Sequence, residues 1–243
     1  MTTIISKQNP LVKELRSLKD KKFRKLSGSF LVEGEKLLGD CLKSPIKVKR
    51  IFAEESYCGT YTADVVFGAD AFSSICDAVT PQGVAAVAEI PKFGLLPPKN
   101  SCIVLDGVSD PSNVGAIIRT ANAAGYEEIY LIDCADPFAP KSVRASMGGV
   151  FFVKLMSGSR SEILDVLHDV PLIAADMNGE NIFHFSAPEK FALCIGNEGN
   201  GLSDEVRAQA NTTVRIPMGE HTESLNAAVS ASILMYELKR KSF

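Results

Sequence analysis

"SCIVLDGVSDPSNVGAIIRTANAAG", Ser101–Gly125, decides the fold of the second half of the chain. Its opening residues form an apolar run of strand length. A short polar loop with a proline follows, and Val114–Ala124 then reads as a helix. A strand passing through a short loop into a helix is where an α/β protein usually carries a glycine cradle for phosphate. This junction has no G-x-G-x-x-G and no phosphate-loop lysine. Asn113 and Arg119 stand there instead, six residues apart. Ile117, Ile118, Ala121, Ala123 and Ala124 surround the arginine, so it is expected to be buried and to need an anionic or carbonyl partner. That partner is either an acidic side chain such as Glu198, or a phosphate or ribose.

Outward from this stretch the pattern repeats. "CIVLDGV", "EIYLID", "VFFVKLM", "PLIAADM", "FALCIGNE" and "TTVRIPM" are apolar runs of strand length. Helical segments alternate with them: Val114–Ala124, about Lys141–Met147, Ser161–His168 and Asp204–Ala210. Near-continuous apolar strands alternating with helices give an α/β fold, a mainly parallel sheet with helices on both faces. The last helix, in "SLNAAVSASILMYELKR", is apolar on most sides until Lys239 and is expected to be buried all round, against the sheet and a second subunit.

Three prolines and a glycine in "PKFGLLPPKN" mark a linker, Pro91–Asn100. It separates a leading domain, residues 1–95, from a second, residues 96–243. In the leading part Asn9-Pro10 reads as a helix cap followed by proline at the first helical position. Leu11, Leu15 and Leu18 recur at helical spacing behind it. "SFLVEG", "VKRIFAEE", "ADVVFGAD" and "GVAAVAEI" read as strands, "EKLLGDCLKS" as a helix, and a short helix is expected near Ala71–Val79. The result is a small α/β unit.

Of 243 residues, 46% are hydrophobic, enough for a core. No apolar stretch approaches the roughly 18 residues that span a bilayer, and "MTTIISKQNP" lacks the apolar segment of a secretory signal. The six cysteines form no C-x-x-C pair and the three histidines no H-x-x-x-H, so reduced thiols, a cytoplasmic location and no metal are expected. The net charge of −3 hides a split: residues 1–50 carry 13 Lys and Arg against 5 Asp and Glu, and the remainder 13 against 24. A basic end on an acidic protein is either a solvated helix face or a polyanion contact, typically nucleic acid. Lys13, Arg16, Lys19, Lys21, Lys22, Arg24 and Lys25 are the candidate phosphate contacts.

In open parallel sheets, ligands bind beyond the carboxyl ends of the strands. Three strand ends here lead into loops of glycine and small polar residues: Asp106–Arg119, Leu193–Ser203 ("LCIGNEGNGLS") and Arg215–Asn226 ("RIPMGEHTESLN"). Each has an ordinary structural explanation. Glu198 could cap the turn after it, and Ser224 could cap the last helix. Asn226 is read as lying one turn inside that helix, where its amide needs loop backbone or a ligand, since burying it unpaired costs roughly 1–3 kcal/mol. Three such loops in one domain indicate a composite site.

Together they resemble the SpoU (TrmH-like) branch of the SPOUT RNA methyltransferases. "NVGAIIR" is similar to the first family motif, "IGNEGNGLS" to the second and "IPMGEHTESLN" to the third, in the family's order and spacing over Ser101–Phe243. The amino half resembles the family's L30e-like substrate-binding domain, notably in "NPLVKELRSLKDKKFR" and "FLVEGEKLL". The resemblance implies S-adenosylmethionine as methyl donor, an RNA ribose 2′-hydroxyl as acceptor, a homodimer through the second domain, and a trefoil knot near the carboxyl end. It carries catalytic roles to Asn113, Arg119, Glu198, Ser224 and Asn226. Asn113 and Ser224 would orient the ribose or Arg119, Glu198 would hold Arg119 or a loop amide, and Asn226 would tie the third loop to the second. Cofactor contacts fall on Leu193, Ile195, Gly196, Ile216, Pro217, Met218, Leu225, Asn226 and Ala227, with Ile195, Ile216 and Leu225 as an apolar wall for adenine.

Arg119 has two implied roles. It accepts the hydroxyl proton, which is demanding for a guanidinium, or it stays charged and grips the target phosphate. The leading domain points to 23S rRNA rather than tRNA. The rival readings are a tRNA 2′-O-methyltransferase, a non-catalytic RNA-binding or ribosome-assembly factor, a dinucleotide enzyme and a base methyltransferase. The missing G-x-G-x-x-G argues against the dinucleotide enzyme. The motif arginine and the Ser-Leu-Asn triplet favour ribose over base.

Overall fold

The computed structural model describes residues 3–222 and 224–242. They divide into two compact units: residues 1–92 with 136–151, and residues 93–135 with 152–243.

The first unit opens with α1 (Pro10–Ser17), whose Asn9 cap accepts from the Leu11 amide at 2.9 Å. The basic run does not extend it. Asp20 caps a separate helix, α2 (Lys21–Ser27), and Gly28 ends that helix at φ +59°. β1 (Ser29–Glu33), α3 (Glu35–Lys43), β2 (Val48–Glu54), β3 (Val65–Phe67), α4 (Ala69–Ile75) and β4 (Val84–Glu89) follow. The sheet order is β1-β4-β2-β3, antiparallel except for β2 with β3. Leu31, Phe52, Phe67 and Ala85 point to the face that α1 and α4 cover with Val12, Leu15, Phe72 and Ile75. Phe30, next along β1, points the other way, as strand alternation requires. It meets Phe138 at 4.9 Å and Phe151 at 6.3 Å between ring centroids. Those rings explain why Asp136–Phe151, expected within the second half, clusters with the first unit.

The second unit alternates as the sequence reads: β5 (Cys102–Asp106), α5 (Pro111–Ala123) and β6 (Glu128–Ile132), then α6 (Pro140–Ser146), which lies in the segment just described. β7 (Lys154–Ser157), α7 (Arg160–Val166), β8 (Leu172–Asn181), β9 (Ala192–Gly196), α8 (Asp204–Gln209), β10 (Thr212–Arg215) and α9 (Ala227–Leu238) complete it. "VFFVKLM" begins as a short 3₁₀ turn, so only its end is strand. The six strands are all parallel, ordered β10-β8-β9-β5-β6-β7. Cys102, Val104, Tyr130 and Cys194 face one side, where Ile163 and Leu164 of α7, its cap Leu167 and Val206 of α8 cover them. α5 and α9 pack together, with α9 against β9 on the other side. Within this chain the last helix is buried on one side only, the side that meets the sheet and α5. Ala228, Ala231, Leu234 and Met235 are buried, while Val229 and Tyr236 are close to half exposed.

Two features of this sheet place the loops. From β5 the chain proceeds outward to β6 and β7, and afterwards fills the other side, so the strand order reverses between β5 and β9. Their last residues, Asp106 and Gly196, are register partners. Between Thr213 and Val214 the pairing of β10 jumps from Ala174 to Glu180, so Ala175–Gly179 stand out of the ladder. A Cβ on Gly179 would sit 2.6 Å from the Val214 backbone nitrogen, so the chain can return to the ladder there only as glycine.

Candidate functional site

The register Asp106↔Gly196 sets the first two loops side by side, and Asp106 holds the second in place. Its carboxylate is 2% exposed. One oxygen accepts from the Ser203 amide at 2.7 Å and the Ser203 hydroxyl at 2.6 Å, the other from Arg160 Nη2 at 2.9 Å. Ser203 is the cap of α8, so the end of the glycine loop hangs from a buried charge. Within that loop Asn197 folds the chain on itself: Oδ1 accepts from Gly199 N at 2.9 Å and Asn200 N at 3.0 Å, and Nδ2 donates to Gly107 O at 2.8 Å. An added Cβ on Gly196 would lie 2.2 Å from the Gly201 carbonyl carbon, so the fold of this loop excludes any side chain there.

Glu198 bridges to the first loop. Its carboxylate accepts from Asn113 Nδ2 at 2.7 Å and from the Ser109 hydroxyl at 3.1 Å. It also accepts from the Ser109 amide at 3.3 Å and the Asp110 amide at 3.4 Å. Burial alone would raise its pKa. The hydrogen bonds from Asn113, from its own loop and from Ser109 outweigh that and hold it below the ordinary glutamate value. Asn113, 8% exposed, accepts at Oδ1 from Asn226 Nδ2 at 3.0 Å. Asn226 is the cap of α9 rather than a residue inside it, accepting from Ala228 N at 2.9 Å and Val229 N at 3.3 Å. It therefore ties the third loop to the first, not to the second. Glu198 also accepts from Asn197 Nδ2 at 3.4 Å within its own loop, but most of its acceptor capacity serves the first.

Three expectations change. Arg119 is exposed, and among the described residues it makes no hydrogen bond or ion pair that would tie it to Glu198. Six residues at about 100° each place it some 120° around the helix from Asn113, off the face that Asn113 buries. Ser224 caps nothing; it is exposed and lines the cleft described next. Glu223, within the third motif, lies outside the described residues. In the first unit Lys13, Arg16, Lys21, Lys22 and Lys25 are exposed as expected of phosphate contacts, whereas Arg24 and Lys19 are committed to the fold. Arg24 is 3% exposed, pairs with Asp136 at 2.6 Å, and donates to the Leu18 and Lys19 carbonyls at 2.8 Å. Lys19 Nζ donates to Ser74 O at 3.0 Å and Cys76 O at 2.5 Å.

A cleft of about 530 Å³ opens where β9 and β10 end and β8 leaves the ladder. Of the expected cofactor contacts, Ile195, Gly196, Ile216, Met218, Leu225 and Ala227 line it. Leu193 does not, being wholly buried in the sheet, and neither do Pro217 and Asn226. Sequence reading missed Ala175, Asp176 and Met177, which stand out of the β8 ladder into the cleft, and Arg207, whose Nη1 lies 2.7 Å from Asp176. The Asn178-Gly179 dipeptide after the apolar run was the available signal, since it marks a break in a strand. Apolar walls, a glycine-bearing floor and a few polar groups suit a flat heterocycle with a polar tail. Among the described residues no group of three or more His, Cys, Asp or Glu is placed to hold a metal, and no helix is long and apolar enough to cross a membrane.

Comparison with known proteins covers the stretch that carries these loops. A family model described as the SpoU rRNA Methylase family matches residues 100–236, and one described as an MRM3-like substrate binding domain matches residues 9–86. The 23S rRNA (guanosine(2553)-2'-O)-methyltransferase RlmP of Bacillus subtilis is 34% identical, covering 98% of this chain and 100% of that protein. An AdoMet-bound rRNA methyltransferase from Sinorhizobium meliloti has a TM-score of 0.88 at 30% identity, over 100% of this chain and 98% of that one. The SpoU methyltransferase AviRb from Streptomyces viridochromogenes, in complex with AdoMet, has a TM-score of 0.88 at 26% identity, over 97% and 98%. With more than half its length matched by the family model and a relative aligned end to end, the chain belongs to the SpoU rRNA methylase family.

Proposed function

We propose that this chain transfers the methyl group of S-adenosylmethionine to a ribose 2′-hydroxyl of 23S rRNA. The observation that carries the reading is a cleft lined by the second and third motif loops, beside the switch point of a parallel sheet, with the first loop hydrogen-bonded to its edge. The Glu198–Asn113–Asn226 chain joins all three at its edge. The names of its relatives support the substrate: RlmP acts on a guanosine of 23S rRNA, and a Streptomyces viridochromogenes relative, 34% identical over 175 residues, on a uridine.

When bound, S-adenosylmethionine supplies an electrophilic methyl group on a sulfonium. Ile195, Ile216 and Leu225 would hold the adenine by their apolar side chains, and the backbone around Gly196 and Met218 would offer it amides and carbonyls. Asp176, held by Arg207, offers a carboxylate to hydroxyl or ammonium donors. Alignment of acceptor and donor is worth several kcal/mol of the barrier. The hydrogen-bonded chain fixes the first loop, from which Arg119 acts. An exposed guanidinium suits a grip on the target phosphate by charge and paired hydrogen bonds. The alternative is that Arg119 accepts the hydroxyl proton. The pH–rate profile of Arg119→Lys separates the two: a shifted profile with RNA affinity kept supports the base, and lost affinity alone supports the clamp.

Val229 and Tyr236, exposed on α9, support a homodimer through this unit, which would complete the surroundings of Arg119. The trefoil knot follows from the family likeness. Residues 1–95 serve as the RNA-binding domain through Lys13, Arg16, Lys21, Lys22 and Lys25, and residues 96–243 as the methyltransferase domain, in the cytoplasm. Mapping 2′-O-methyl sites in total RNA with and without the gene tests the whole reading. An unchanged map, with no methyl transfer to rRNA by the purified protein, would overturn it.

A further inference from the structure

The first unit carries a groove that this reading leaves unused. Along α2 exposed cations alternate with exposed apolar side chains. Lys21, Lys22 and Lys25 reach solvent, and between them Phe23 is 44% and Leu26 74% exposed. Neither apolar residue joins the core that α1 and α4 close over the sheet. Together they line a cavity of about 540 Å³, which reaches Val87 of β4 and the exposed Lys49 and Arg50 of β2. Glu14 is the one acid among its lining residues.

Two exposed apolar side chains that share one groove form a patch of the kind that marks a binding surface. The surrounding charge is positive, which favours a polyanion. A flat apolar surface beside two or more cations is the arrangement that binds single-stranded nucleic acid: bases stack on the ring and phosphates meet the cations. A paired helix cannot use it, because its bases are already stacked.

We propose that this groove takes an unstacked nucleobase of the substrate RNA against Phe23 and Leu26, with the flanking phosphates on Lys22, Lys25 and Arg50. The inference rests on the RNA methyltransferase reading and adds to it: the leading domain selects a loop or bulge, not merely RNA charge. Phosphate contacts alone give no such selection.

The test compares two RNAs of equal phosphate number against the full chain. One is a hairpin with a loop of unpaired bases, one of them 2-aminopurine; the other is a blunt duplex. Stacking energies per base correspond to a loss of about 5- to 150-fold in hairpin affinity for Phe23→Ala, with duplex binding unchanged. The slope of log affinity against log salt stays the same. Phe23→Tyr restores affinity and the quenching of 2-aminopurine. Lys22→Ala weakens both RNAs and lowers the slope by about 0.7–0.9. Equal weakening of both RNAs by Phe23→Ala, or no weakening, overturns the groove. So does a change in sedimentation behaviour on Phe23→Ala, which would make this face a protein interface. Calorimetric binding of S-adenosylmethionine, unchanged in Phe23→Ala, shows that the fold survives. If the wild-type chain binds S-adenosylmethionine and methylates rRNA while the groove prediction fails, only the groove falls. If it does neither, the functional reading falls first.

Discussion

Asp106→Asn tests whether a buried charge holds the glycine loop. The replacement keeps the shape and turns one acceptor oxygen into a donor. Two arrangements are open to it. If the new NH₂ faces Ser203, the Ser203 amide, now 2.7 Å from the carboxylate, loses its acceptor; the hydroxyl can rotate to compensate but the amide cannot. If it faces Arg160, the guanidinium, now 2.9 Å away, meets a donor instead of a charge. Either way one donor in a buried setting is orphaned, costing about 1–3 kcal/mol. The ion pair is lost as well, but Arg160 is 26% exposed and can turn to water, so this adds only about 1 kcal/mol. The sum, about 2–4 kcal/mol, lowers Tm by roughly 5–15 °C for a chain of this size. Ser203→Ala removes the cap and one hydrogen bond but leaves the Asp106–Arg160 pair, so it should cost about 1 kcal/mol. The functional loss should exceed the loss of stability. Ser203 ends the loop that forms one side of the cleft, and a loop that samples other conformations binds in proportion to the competent fraction. Thermal unfolding by circular dichroism and calorimetric titration with S-adenosylmethionine measure the two. A Tm within about 3 °C of wild type, with cofactor affinity unchanged, would refute the reasoning.

Three further outcomes are expected. Gly196→Ala should abolish S-adenosylmethionine binding by calorimetry, because its Cβ would meet backbone at 2.2 and 2.3 Å and backbone cannot move aside as a flexible side chain does. Glu198, whose folded pKa is lowered, stabilises the joined loops above the ordinary glutamate value of about 4.3 and loses that contribution as pH falls through the lowered one. Tm measured from pH 6 to 3 should therefore fall less steeply in Glu198→Gln than in wild type. Arg24→Ala strands Asp136 and removes the donors to the Leu18 and Lys19 carbonyls; urea unfolding should register about 3–5 kcal/mol, whereas Lys22→Ala should lie within about 0.5.

The parallel sheet was legible because its strands are buried on both faces, so all but one end residue of "CIVLD" and of "EIYLI" is apolar and the runs stand out without register information. The three loops were legible because glycine and small polar residues cluster where strands end. What one-dimensional patterns could not show was direction and distance. Arg119 lies among apolar neighbours in the sequence and Arg24 in a basic run, yet the first is exposed and the second buried, because the angular position on a helix and a partner 112 residues away decide it. Asn226 looked internal to a helix because Ser-Leu-Asn continues the apolar pattern, and only its extended backbone, ψ 141°, makes it the cap. The bulge of β8 was hidden for a related reason. Nothing in "LIAADMNGEN" states that β10 will pair with residues on both sides of it.

The identities of Asn113 and Asn226 follow from the ends of the chain they belong to. At one end Glu198 is a carboxylate, which only accepts hydrogen bonds; at the other the first turn of α9 offers only amide donors. A connection between them must therefore present a donor to the first and an acceptor to the second. Asn113 turns Nδ2 to Glu198, which leaves Oδ1 for Asn226; Asn226 donates with Nδ2 and turns Oδ1 to the helix amides. An aspartate at 113 would set two carboxylates against each other. An aspartate at 226 would keep the cap but face the Asn113 oxygen with another acceptor. A serine is too short to span both contacts at either place. Two carboxamides in series thus satisfy a polarity imposed from outside, which fixes their orientation as well as their type and makes the first and third loops move as one with Glu198.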